Sequence, residues 1–175
     1  MSEFAVVSAL GEDRAGIVKD LSKVILECGG NISESKMATL GGEFAAVMLV
    51  QGNESTINDI EKKLVPAQKD LNLTIQFKRT KLKASQTSSL PYYVEVVSLD
   101  HPGIVHEITA FLSSRGVNIY EMETNSYAAA HTGTAMFALS IQVGVPSELN
   151  LGKLRGEFLE FCDSLNLDGS IEASR

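Results

Sequence analysis

Residues 13–32 read DRAGIVKDLSKVILECGGNI, and residues 100–119 read DHPGIVHEITAFLSSRGVNI. The two stretches align without a gap at a constant offset of 87 (100 − 13 = 119 − 32 = 87). Asp13, Gly16, Ile17 and Val18 recur as Asp100, Gly103, Ile104 and Val105; Gly29, Asn31, Ile32 and Glu34 recur as Gly116, Asn118, Ile119 and Glu121. An internal repeat decides architecture before any local reading does. A unit this long is not a solenoid repeat, so the chain reads as two copies of one small domain.

Each copy has the same grammar. An apolar run (FAVVSAL from Phe4, YYVEVVSL from Tyr92) leads into a turn of acid, base and glycine. A helix follows, with Ile17, Leu21, Val24, Ile25 and Cys28 on one face, and Ile104, Ile108, Phe111 and Leu112 on its counterpart. Pro102 is expected in the first helical turn, where its missing N–H costs nothing, and Gly29 and Gly116 at left-handed helix ends. The turn therefore offers a helix N-terminus beside a strand end, with free N–H groups and a glycine that admits a ligand.

Outward from that stretch, strands are expected over 4–10, 31–38, 42–51 and 73–79, with helices over 15–28 and 56–64, the second ended by Pro66. The second copy repeats the order over 92–99, 103–114, 118–127, 135–143, 148–164 and 170–174, with a longer hairpin turn. The order βαββαβ is the ferredoxin-like unit. The fold class is α+β: two such units, each an antiparallel sheet with its helices on one face. Residues 1–79 form the first domain, 80–90 (TKLKASQTSSL) a Ser/Thr-rich linker, and 91–175 the second.

The 175 residues carry a net charge of −7. Residues 1–77 hold 7 basic and 11 acidic side chains, and 91–175 hold 4 and 11, with Lys78, Arg79, Lys81 and Lys83 between them. Two acidic domains around a short basic tether make no phosphate-binding face, so direct nucleic-acid contact is not expected. No apolar run reaches the ~20 residues of a membrane span, and the N-terminal MSEF lacks signal-peptide character. Cys28 and Cys162 occupy non-equivalent helix positions, which favours a reduced, cytoplasmic protein over a disulfide-bonded one.

No reaction is legible. His101, His106 and His131 have no metal-ligand spacing, and no serine sits in a nucleophile elbow. Cys28 lies on an apolar face. Glycines 29, 30, 41 and 42 make no phosphate loop. The chain is read as non-catalytic, without metal or cofactor; as an enzyme it would have His101 as its one candidate base.

These residues resemble a known family. A βαββαβ unit whose first turn reads D-R/H-x-G-I looks like an ACT domain, a small-molecule-sensing module of amino-acid metabolism. The tandem resembles the glycine cleavage system transcriptional repressor family through Ala9-Leu10-Gly11, Asp13-Arg14-Ala15-Gly16-Ile17-Val18, Cys28-Gly29-Gly30-Asn31-Ile32, the run from Ser35 to Phe44 (SKMATLGGEF), Lys78-Arg79-Thr80 and Gly169-Ser170-Ile171. Ala15 stands where the family usually has proline, and Lys36 where arginine is common.

The resemblance implies a ligand site between the first turn of one module and the second strand of a neighbouring module. It maps to Asp13, Arg14, Ala15, Gly16, Ile17, Asn31 and Ile32, and to Asp100, His101, Pro102, Gly103, Ile104, Asn118 and Ile119. An amino-acid carboxylate would sit on N–H groups near Gly16 or Gly103, its ammonium near Asp13 or Asp100. The same residues also suit a structural duty, with the aspartates as helix caps and the glycines as turn formers. The resemblance further implies an amino-acid sensor, with glycine as one candidate ligand, acting through a protein partner. That partner would be a transcription factor or, in the alternative reading of a regulatory or assembly subunit, a metabolic enzyme. Unpaired sheet edges call for side-by-side association, and a homodimer is expected.

Overall fold

The structure is a computed structural model that describes residues 2–82 and 89–173. The first unit, residues 1–84, runs β1 (Glu3–Glu12), α1 (Ile17–Glu27), β2 (Asn31–Leu40), β3 (Glu43–Gly52), α2 (Glu54–Leu71) and β4 (Thr74–Thr80). The second, 85–175, runs β5 (Ser89–Leu99), α3 (Ile104–Ser114), β6 (Asn118–Ala128), β7 (Ala135–Pro146), α4 (Leu151–Ser164) and β8 (Asp168–Ala173). Each unit has one four-stranded antiparallel sheet, ordered β2-β3-β1-β4 and β6-β7-β5-β8. This is the α+β, βαββαβ arrangement expected, twice.

Period-two alternation on the central strands makes the cores. Ala5, Val7 and Ala9 of β1 and Phe44, Ala46, Met48 and Val50 of β3 are buried against Ile17, Leu21 and Ile25 of α1 and Ile57, Ile60 and Leu64 of α2. In the second unit Val94, Val96, Leu139, Ile141 and Val143 meet Ile108, Phe111 and Leu112 of α3 and Leu154, Phe158 and Cys162 of α4. Each fully buried Leu, Ile or Phe contributes roughly 1.5–3 kcal/mol of transfer free energy.

Helix ends follow the repeat. Gly29 and Gly116 have φ of 77° and 70°. Gly29 N–H donates to Leu26 O and Gly30 N–H to Ile25 O, while Gly116 and Val117 donate to Ser113 O and Leu112 O. Both helices thus close on the doubled hydrogen bond that glycine at this position permits.

Three expectations are corrected. Pro66 does not end the second helix: α2 runs on to Leu71, with Pro66 exposed inside it. The proline deprives the exposed Lys62 carbonyl of a partner on the solvent side, where water can replace it, while Ile57, Ile60 and Leu64 hold the helix down. Pro102 is not in the first helical turn, because Gly103 is the N-cap of α3 and the proline precedes it. The strands also enter the stretch read as linker: β4 ends on Thr80, and β5 begins at Ser89, paired with Pro146. The remainder of that stretch, 83–88 with Lys83, lies outside the described residues, as does Ser174 of the expected last strand.

Candidate functional site

In both units the strand-to-helix turn ends on a left-handed glycine. Gly16 (φ 86°) caps α1 and Gly103 (φ 105°) caps α3, and neither helix has a side-chain cap hydrogen bond. The aspartates therefore do not cap, which removes the structural duty the sequence offered for them. Asp13 and Asp100 instead anchor the turn through their backbone. Asp13 N–H donates to Gly42 O at 3.0 Å, and Asp100 N–H donates to Ala135 O at 3.0 Å. The turn is thus pinned on the hairpin beside it, at equivalent positions in both units.

The first intrahelical bonds are Asp20 N–H to Gly16 O and Glu107 N–H to Gly103 O. The amides before them, among them Val18 and Lys19, lie in the turn that has no intrahelical acceptor, at the positive end of the helix dipole. Open space lies in front of both glycines: a Cβ on either would meet nothing within 4 Å. Around Gly16 that space is a cavity of about 600 Å³, lined by Asp13, Arg14, Ala15, Gly16, Ile17 and Val18 on one side and by Met37, Ala38, Thr39 and Phe44 on the other. Arg14 is turned along the helix onto Asp20, at 2.8 Å. In the second unit His101 Nδ1 lies 3.1 Å from Pro102 O. Among the described residues no side-chain hydrogen bond or ion pair engages the Asp13 or Asp100 carboxylate.

Asp13, Arg14, Ala15, Gly16 and Ile17 are brought together, as are Asp100, His101, Pro102, Gly103 and Ile104. Asn31 and Ile32 are not brought to the turn of their own unit. They open β2, opposite Gln51 and Val50, about eight residues or roughly 26 Å along the strand from Thr39. Asn118 and Ile119 likewise open β6, opposite Gly144 and Val143. The chain runs up β1, back along α1 and up β2, so the end of β2 returns to the turn, not its start. Sequence reasoning missed Met37, Ala38, Thr39 and Phe44 as wall residues. Their signal was the Gly41-Gly42 hairpin, which must fold back beside the turn in a βαβ unit. The register supplies the counterparts in the second unit: Thr39 opposes Phe44, and Ser126 opposes Phe137.

The cysteines are free thiols. Burial, with Asp163 and Asp168 nearby, pushes Cys162 up to about 11, so it is core and not a nucleophile. Among the described residues no group of three His, Cys, Asp or Glu is placed to hold a metal ion. No helix among them is long and apolar enough to cross a membrane.

This geometry defines a tandem of ACT domains, and the ACT domain family matches residues 3–78 directly. The glycine cleavage system transcriptional repressor of Escherichia coli (strain K12) is 31% identical over 168 residues, spanning 96% of this chain and 88% of that protein. The repressor of Shigella flexneri is equally similar. A solved structure described as a candidate glycine cleavage system transcriptional repressor superposes with a TM-score of 0.76 at 28% identity, over 100% of this chain and 99% of that one. An unknown protein from Galdieria sulphuraria gives 0.82 at 28% identity over 100% of both chains. The chain belongs to the glycine cleavage system transcriptional repressor family.

Proposed function

We propose that this protein is a non-catalytic, cytoplasmic regulator that binds a small amino acid at its strand-to-helix turns and acts on transcription through a protein partner. The observation that carries the reading is the glycine N-cap: in both units it leaves the helix N-terminus uncapped by any side chain and open to a ligand. A ligand carboxylate would be held by the amides after Gly16 and its ammonium by Asp13, with the Met37–Thr39 wall limiting the size of any side chain it carries. The name of the relatives makes glycine the first ligand to try. Asn31, Ile32, Asn118 and Ile119 would join the site only from an adjacent module, in a homodimer. A net charge of −7 disfavours direct contact with operator DNA, so in this reading transcriptional control runs through a second protein.

Calorimetric titration of the common amino acids, glycine first, tests the site. Thr39→Tyr fills the cavity beside Gly16, and Ser126→Tyr places the same bulk at the equivalent register position of the second unit; both are exposed strand positions that tolerate aromatic residues. The expected result is heat from one ligand or a narrow set, lost in the variants with the melting temperature unchanged. No heat with any amino acid, or binding indifferent to both variants, removes the sensing role. A tight, salt-steep shift of operator DNA by the purified chain alone would overturn the partner clause.

A further inference from the structure

On the second unit a groove of about 520 Å³ runs between α3 and α4. Phe111 of α3 and Phe161 of α4 stack in its floor, their ring centroids 4.9 Å apart and their planes 28° from parallel. Glu107 stands on the α3 side, one helical turn before Phe111, and Glu157 and Glu160 stand on the α4 side.

One cation is already seated there. The Arg115 guanidinium lies 3.6 Å from the centre of the Phe111 ring, and its Nε donates to Glu157 at 2.8 Å. A ring face with a carboxylate beside it suits a planar, weakly hydrated guanidinium better than an ammonium. The exposed Lys153 is 3.7 Å from the same carboxylate. Phe161, Glu107 and Glu160 repeat the parts of that seat without its cation: among the described residues no hydrogen bond or ion pair engages the Glu107 or Glu160 carboxylate. Three carboxylates thus line the groove against one base, and a further cation would relieve their repulsion.

The first unit is built differently at the same place. At the α3 offset of 87, and at the α4 offset of 94 that Leu64 and Phe158 define (158 − 64 = 94), Val24 and Ala67 stand for the two rings, Lys63 for Glu157 and Pro66 for Glu160. Asp20, the counterpart of Glu107, is taken by Arg14. The scaffold therefore does not require the aromatic, acidic groove; it belongs to one unit.

We propose that this groove is the docking point for the protein partner, which places an arginine side chain beside Phe161 and pairs it with Glu107 and Glu160. The inference rests on the partner clause of the function above and is independent of the amino-acid site.

Amide NMR shifts of the full chain, titrated with acetyl-Gly-Arg-Gly-amide, test it. The blocked peptide has no free carboxylate or amine to enter the helix mouths at Gly16 and Gly103, and its citrulline analogue is an uncharged control. The expected result is saturable shifts confined to α3 and α4, absent with citrulline. Glu107→Gln combined with Glu160→Gln should weaken binding about threefold or more with the melting temperature unchanged. Asp59→Asn combined with Asp70→Asn, which removes the same charge from exposed positions of α2, should leave it unchanged. Shifts scattered over both units, equal binding of the citrulline peptide, or equal losses in the two double variants overturn the proposal. A partner protein held equally well by the wild type and by the Glu107→Gln, Glu160→Gln variant removes the groove and leaves the partner clause standing.

Discussion

At the start of β2 the irregular residue is Ser33, whose hydroxyl lies 3.5 Å from Gln51 Oε1; at the start of β6 it is Tyr120, lying over Gly144, which has no room for a Cβ. Gln51 and Gly144 are counterparts, so a small–large pair in one unit answers a large–small pair in the other. Ions are redistributed as well. Arg79 of β4 reaches Glu61 of α2 at 3.0 Å, whereas in the second unit the arginine sits on the helix, and Arg155 donates to Ile171 O at 2.7 Å. The backbone is treated differently: left-handed glycines at both helix starts, Schellman ends at both C-termini, and turn-to-hairpin bonds of equal length recur without change. Side chains compensate one another in pairs, while a backbone at positive φ has no partner that can compensate for it. The shared glycines are therefore a requirement of the scaffold whether or not they also admit a ligand, and the walls, Met37–Thr39 against Thr124–Ser126, are where the units differ in what they can hold.

The strongest way to break this picture is to unfold one unit alone. All four tyrosines, Tyr92, Tyr93, Tyr120 and Tyr127, lie in the second unit, so tyrosine fluorescence reports only on it. Phe158 is fully buried, its ring edge-on to Phe111 at 5.4 Å. Phe158→Ala should cost about 3–5 kcal/mol and Leu64→Ala, its counterpart, about 2–5 kcal/mol. Urea titration should move the tyrosine transition for the first and leave it for the second. Equal movement in both would show that the units are energetically one.

Gly16→Ala and Gly103→Ala sharpen the backbone half of the comparison. With φ at 86° and 105° and open space around both, the cost comes from conformation alone, more than about 1 kcal/mol each. Asparagine should cost less at either place, since it tolerates left-handed geometry. An alanine variant as stable as the parent would mean that the turn relaxes, and would return the glycines to ligand duty alone.

Pro66 has Glu160 as its counterpart. Pro66→Ala restores an N–H to a continuous helix and should stabilise the first unit by roughly 1 kcal/mol, read by circular dichroism with the tyrosine signal unchanged. A loss of stability would show that proline's restriction of the unfolded chain outweighs the missing bond.

The smallest effect is electrostatic. The hydrogen bond from Arg115 at 2.8 Å, aided by Lys153, holds the Glu157 carboxyl below its ordinary range. A depressed folded-state value stabilises above the unfolded carboxylate's titration and is lost as pH falls through the folded one. Glu157→Gln should lower the tyrosine-monitored melting temperature slightly at neutral pH, and the difference from wild type should vanish on acidification. A difference that persists in acid would assign the effect to packing around Phe111, over whose ring Arg115 also lies.

The amino-acid sequence by itself determined the duplication, the βαββαβ order, the apolar helix faces and the glycines that end α1 and α3, because these follow from periodicities and dihedral needs a few residues long. It also marked the turn at Asp13–Ile17 as the place of interest. It could not decide whether Asp13 caps α1, since a capping oxygen and an unused one look alike until the Gly16 dihedrals are known. It misplaced the end of α2, where the burial of Ile57, Ile60 and Leu64 outweighs the local cost of Pro66. Only the tertiary structure decided what faces the turn. Met37, Thr39 and Phe44 reach it because the crossover through α1 makes β2 run in the same direction as β1, which returns the end of β2, not Asn31 at its start, to the mouth of the helix. The strand register likewise belongs to the tertiary structure alone: it places Lys78 beside Val6 across more than seventy residues of chain.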